Sequence, residues 1–222
     1  DNAAGLSIQT DGGRTGKAVL NGGIIQNNKS EKSGGGIGIV VARRNGTSGL
    51  TLNGTEIHAN VSNWYGGGIY VDASDGIVTA ELDKGLITEN TAIAGAGIYI
   101  NQSYVCQATL RISSDDVKIQ KNNAQTDGGG IYLYHDTSST GTIEALINGG
   151  FIAENVSNGN GGGVYLNNGS LNILNGTITG NISKKDGAGA YVYDGTINMS
   201  GGNIEKNTSV GNGAGIYSRA NI

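Results

Sequence analysis

The chain has 222 residues, of which 41 are Gly, 26 are Asn and none is Pro, and only 14% are charged. Globular chains use roughly 7% Gly and about 25% charged residues, so the composition is biased. Even so, 36% of the residues are apolar and alternate in order, which excludes a disordered linker. Collagen is excluded too, because the Gly has no three-residue period and Pro is missing.

A net charge of −4 and a pI near 5.1 argue against a nucleic-acid surface or docking on anionic lipid. No apolar run approaches the roughly 18 residues that span a bilayer, so no membrane insertion is expected. The single cysteine, Cys106, leaves no internal disulfide and no Cys-based zinc site. Two histidines, His58 and His135, are little material for a metal or catalytic centre. No charged-then-apolar leader opens the chain, so an export signal is expected to be removed or to lie outside it.

In chain order, a Gly-rich triplet opens the same phrase seven times. The copies begin at Gly34, Gly66, Gly95, Gly128, Gly161, Gly187 and Gly213, spaced by 32, 29, 33, 33, 26 and 26 residues. The base unit is therefore about 26 residues, with insertions in the earlier copies. Before each triplet stands an apolar residue followed three later by Asn: Ile25/Asn28, Ile57/Asn60, Ile87/Asn90, Ile119/Asn122, Ile152/Asn155, Ile178/Asn181 and Ile204/Asn207. Two residues after each Asn comes a small side chain, Ser or Ala. The Asn-to-Gly spacing is 6 in six copies and 5 in the third.

Each unit holds three short stretches of period-two alternation, as in Val164-Tyr165-Leu166, Leu171-Asn172-Ile173 and Thr177-Ile178. That pattern predicts half-buried strands, three per unit, and no helix. The fold class is all-β: a parallel β-helix of about seven three-stranded coils, stacked at about 4.8 Å. Asn side chains on successive coils form amide ladders and tolerate the left-handed corner conformation. The absence of Pro keeps every ladder N–H. Residues 1–222 read as one β-helix domain, a segment of a longer protein, because Leu6-Ser7-Ile8 continues a preceding coil and Ile216-Tyr217-Ser218 opens an unfinished one.

The pairing of an apolar-x-x-Asn element with a following Gly-Gly-x-Ile element resembles the repeats of polymorphic outer-membrane proteins, over residues 18 to 217. That family usually has Phe at the Ile25 and Ile57 positions, and Ala in the middle of the triplet. The resemblance implies a right-handed parallel β-helix, exported as an autotransporter passenger, secreted to the bacterial cell surface and adhesive. It brings no catalytic residues and no cofactor.

Candidate ligand-binding residues lie in two places. In each first strand the residue between the inward pair is Gly38, Tyr70, Tyr99, Tyr132, Tyr165, Tyr191 and Tyr217 in turn. The six tyrosines span roughly 24 Å at the interstrand spacing. They read either as an exposed platform for sugar rings or a partner protein, or as a self-stacked ladder that stiffens the sheet. The next outward column is Asp72, Asn101, Tyr134, Asn167, Tyr193 and Arg219. The second place is the edge carrying the insertions, near residues 42–49, 72–80, 101–108 and 134–142, with Arg43, Arg44, Asp75, Tyr104, Cys106, Tyr134, His135 and Asp136.

No metal ligand set and no calcium array is expected, since Asp127 and Asp186 have no acidic equivalents in the other units. The second-strand outward column, Val19, Thr51, Glu81, Leu146, Asn172 and Asn198, lacks the Thr rank of an ice-binding face. Trp64-Tyr65 reads as a local packing anchor. The expected function is a non-catalytic adhesive domain, monomeric, recognising a host or microbial glycan or a matrix protein. The alternatives are a polysaccharide-degrading lyase or hydrolase, for which His135-Asp136 and Asp115-Asp116 are the only local pairs, and a passive stalk.

Overall fold

A computed structural model describes residues 3–41, 46–74, 76–104, 106–136, 138 and 140–219. The chain is a parallel β-solenoid of about seven turns, with no helix among the described residues. Three sheets run along its axis. The first stacks Leu6–Thr10, Ile37–Val41, Ile69–Ala73, Ile98–Gln102, Ile131–His135, Val164–Leu166, Ala190–Val192 and Ile216–Ser218 in that order. The second carries the long strands, such as Gly46–His58, Gly76–Thr88 and Thr142–Ala153. The third consists of two-residue bridges from Lys29–Ser30 to Thr208–Ser209.

Period-two alternation decides which side chains turn inward. Ile37, Ile39 and Val41 from the first sheet meet Leu50 and Leu52 from the second, and the Ile before each ladder Asn completes one continuous core. A single turn has no partner for these faces, so stacking itself creates the core. The expected register holds: Val19, Thr51, Glu81, Leu146, Asn172 and Asn198 form one outward column, with Arg111 completing it.

The Asn ladder runs through seven turns. In each Asn after Asn28, Oδ1 accepts from both the backbone N–H and the Nδ2 of the preceding turn's Asn, at 2.9–3.1 Å. From Asn60 onward, each Nδ2 also donates to the carbonyl of the preceding turn's Ile. The left-handed corner is not taken by the Asn, as its sequence preference suggests, but by the residue before it. Asn27, Ala59, Glu89, Lys121, Glu154 and Lys206 have φ of 53–57°, and Gly180 has 64°. The Asn must aim its amide along the axis, so its neighbour makes the turn.

The last Gly of each triplet is a matter of space. A Cβ on Gly130 would stand 2.6 Å from the Gly163 carbonyl and 2.9 Å from the ladder amide of Asn155. The first Gly of each triplet has φ of 58–71°, where a side chain is strained.

The extra length of the early units is distributed differently from expectation. Residues 46–49, 76–80 and 107–108 belong to strands, not loops. First strands of five residues in the earlier turns become strands of three from Val164 onward. The early turns are wider, and among the described residues short stretches such as 103–104 and 140–141 lie outside the strands.

Candidate functional site

The tyrosine column is a closed stack. Tyr70, Tyr99, Tyr132, Tyr165, Tyr191 and Tyr217 stand in register on the first sheet. Successive ring centroids lie 5.9, 4.8, 4.4, 5.0 and 5.4 Å apart, and the planes are tilted by 15–26°. Such parallel offset contacts each add roughly 0.5–1.5 kcal/mol. Four of the rings are only 5–8% exposed, and Tyr132 and Tyr217 are half-buried. The expected exposed platform is therefore corrected. The interstrand spacing falls within the centroid separation of offset-stacked rings, so the inner rings cover one another's faces and leave no row of open faces for a sugar chain.

Burial pushes the phenol pKa values of Tyr70, Tyr99, Tyr132, Tyr165 and Tyr191 upward. Neighbouring phenols and carboxylates add to it, Asp72 at Tyr70 and Asp127 at Tyr132 and Tyr165. Tyr65 extends the aromatic cluster, its ring 4.6 Å from that of Tyr99. Tyr65 and Ala94, each directly before its Gly triplet, pair in an isolated parallel bridge. Trp64, read as a packing anchor, is instead 53% exposed.

The neighbouring column is the open one. Asp72, Asn101 and Tyr134 follow one another in register, and Asp72, Asn101, Tyr134 and Asn167 are half-exposed. Tyr193 is 43% exposed, with the Arg219 guanidinium 4.6 Å over its ring. Asn101 Nδ2 donates to Asp72 Oδ1 at 3.1 Å, and the Tyr70 hydroxyl donates to Asp72 Oδ2 at 3.3 Å. Asp72, Asn101 and Tyr134 stand on strands, whereas Asn167, Tyr193 and Arg219 follow directly on strand ends, and together they offer rings, amides, a carboxylate and a cation.

The insertion edge brings together fewer residues than expected. Arg43, Arg44 and Asp75 lie outside the described residues. Tyr104 projects from its loop, with a φ of 61°. His135 and Cys106 turn inward and are buried, so His135 is corrected from a loop ligand to an interior group. His135 occupies the fifth position of a strand whose first and third residues, Ile131 and Leu133, face the core. Asn168 Nδ2 donates to His135 Nδ1 at 2.9 Å, which makes the other ring nitrogen the donor, to the Gly141 carbonyl at 3.0 Å. Cys106 Sγ accepts from the Gly76 N–H.

Asp136 follows His135, the last residue of its strand, and is half-exposed. The Ser138 N–H and hydroxyl donate to its carboxylate and hold it below the usual range. Asp127 and Asp186 tie corners together, each Oδ1 accepting the backbone N–H of the next turn's Asn160 or Asn212 at 2.6 Å. Among the described residues, no three His, Cys, Asp or Glu side chains form a metal-sized cluster. Comparison with protein-family models, curated proteins and solved structures found no match to this chain.

Proposed function

We propose that the chain is a non-catalytic adhesive domain of a secreted bacterial cell-surface protein, of the kind its repeats resemble. It acts as a rigid monomeric presenter that recognises a glycan or a matrix protein. The observation that supports this reading is the Asp72–Asn101–Tyr134–Asn167–Tyr193–Arg219 row. Its Tyr193 ring, 43% exposed at the end of its strand with Arg219 over one part of it, stands beside amide and carboxylate groups suited to hydroxyls. The buried stack beside it serves as the stiff backing of that row.

The test is a screen of wild type and Tyr134→Ala/Tyr193→Ala against a glycan array and immobilised matrix proteins, with folding of both checked by circular dichroism. Binding that the double substitution removes supports the reading. Binding that survives moves the site away from this row. Absence of binding to every glycan and matrix protein overturns the adhesive reading in favour of a stalk.

A further inference from the structure

The second sheet bends between its long and short strands. In the turn of Gly46–His58 the register shifts around Asn53, and in that of Thr142–Ala153 around Asn148. Across three successive turns this bend opens outward as a groove of about 350 Å³. Gly54, Gly85 and Leu86 line it, the glycines adding no side chain where the backbone folds back. Glu56, Lys118 and Gln120 also line it, as do Lys84 and Asp116, which pair with each other at 3.7 Å.

One column in register runs through this groove and past its end: Glu56, Leu86 and Lys118 line it, and Phe151 stands beside Lys118 on the next turn, just beyond the lining. Phe151 is the chain's only Phe and is 39% exposed. Apolar surface thus alternates with a carboxylate and an ammonium, one side chain per turn. From Leu86 to Phe151 is two interstrand intervals, about 10 Å.

The chemistry of these side chains narrows the ligand. Two carboxylates and two ammonium groups cancel, and one of each is already paired, so a polyanion or a polycation gains little. Leu86 and Phe151 suit the C–H faces of pyranose rings. Glu56 accepts and Lys118 donates to hydroxyls, and Gln120 does both. A pyranose unit is about as long as the rise per turn, so a chain of sugars lying along the axis would meet each side chain in phase.

We infer that this groove, continued by Phe151 on the adjoining turn, binds a neutral oligosaccharide lying along the solenoid axis, its rings on Leu86 and Phe151 and its hydroxyls on Glu56, Lys118 and Gln120. The site is on a different sheet from the Tyr134–Tyr193 row, and either can fail alone.

Saturation-transfer NMR and calorimetry on the whole chain test it, with cello-, malto-, xylo- and chito-hexasaccharides as neutral probes and hexagalacturonate as the charged one. At least one neutral probe is expected to bind. Phe151→Ala should weaken that binding about fivefold or more, the scale of one aromatic contact, and Phe151→Tyr should restore it. Glu56→Ala/Lys118→Ala should weaken it comparably, while Tyr134→Ala/Tyr193→Ala leaves it unchanged. All the replaced residues are exposed or half-exposed, and thermal melts check that each variant folds. The inference is overturned if no neutral probe binds at millimolar concentration, if only hexagalacturonate binds, or if binding is indifferent to Phe151 and to the Glu56/Lys118 pair.

Discussion

In the turn of Ile131–His135 the first strand runs five residues, and two turns later Ala190–Val192 runs three. The wide turns carry an additional inward row: Val41, Ala73, Gln102 and His135 on the first sheet, with Ser48, Val78, Ala108 and Ile143 in one column of the second. The narrow turns lack it, and the chain closes over its end at Gly169, where a Cβ would lie 2.4 Å from the Ile143 side chain. His135 sits at that step, held by Asn168 of the next turn. Yet the ladder Asn and the last triplet Gly are the same in both regions. Corners govern stacking, whereas girth is adjustable wherever the exposed end of the additional row is sealed by hydrogen bonds.

The largest expected effect tests whether the ladder is indifferent to girth. Asn122→Ala in a wide turn and Asn181→Ala in a narrow one each leave the backbone N–H and one of the two Nδ2 hydrogens of the preceding Asn without an acceptor. Each should lower stability by about 3–4 kcal/mol, and the two should agree within about 0.5 kcal/mol. Urea unfolding measures this, and a wide disagreement would break the comparison.

Next comes the step itself. Gly169→Ala should lose about 2–3 kcal/mol through collision with Ile143 and a φ of 107°. In a wide turn Gly49→Ala, whose nearest neighbour would be 3.7 Å away, should change stability by less than about 0.5 kcal/mol. Thermal melts of the pair separate the two cases. Asn168→Ala removes the donor to the His135 ring, and should cost about 1–2 kcal/mol in the same measurement.

The tyrosine stack crosses both regions, so its response to alkali should not distinguish them. Folded-state phenol pKa values lie above the ordinary 10.0. Between the unfolded and folded values the unfolded chain has lost protons that the folded chain keeps, so ionisation favours unfolding. Stability should be complete below about pH 10 and decline as pH rises beyond it, toward the folded values. Ultraviolet titration should show Tyr70, Tyr99, Tyr132 and Tyr165 ionising only with unfolding; their free titration in a folded chain would contradict their burial. The smallest effect is expected at Thr88, whose buried hydroxyl has no hydrogen-bond partner. Thr88→Val should be neutral or stabilising by up to about 0.5 kcal/mol in a thermal melt.

Much of the architecture could be read before the structure, since a solenoid repeats its constraints. Columns such as Val19–Thr51–Glu81 follow from period-two alternation once the triplets are aligned. The site was less legible. Tyr70 and Tyr134 are both outward residues on the same sheet, yet one type of position is closed and the other open. The difference depends on whether the neighbouring turns also present a ring, and on how the rings tilt together. His135 looked like a loop residue because the sequence does not show that the strand continues to it.

By itself, the sequence determined the number of turns, the three stretches per turn, the Asn ladder and which residues alternate inward, because each is a local pattern repeated at a fixed interval. Only the tertiary structure decided that the residue before each Asn makes the left-handed corner, that the tyrosines bury one another, that the early turns are wider, and that the second sheet bends into a groove. Those features depend on distances between turns, where ring thickness, Cβ clearance and backbone curvature are settled by what the neighbouring turn presents.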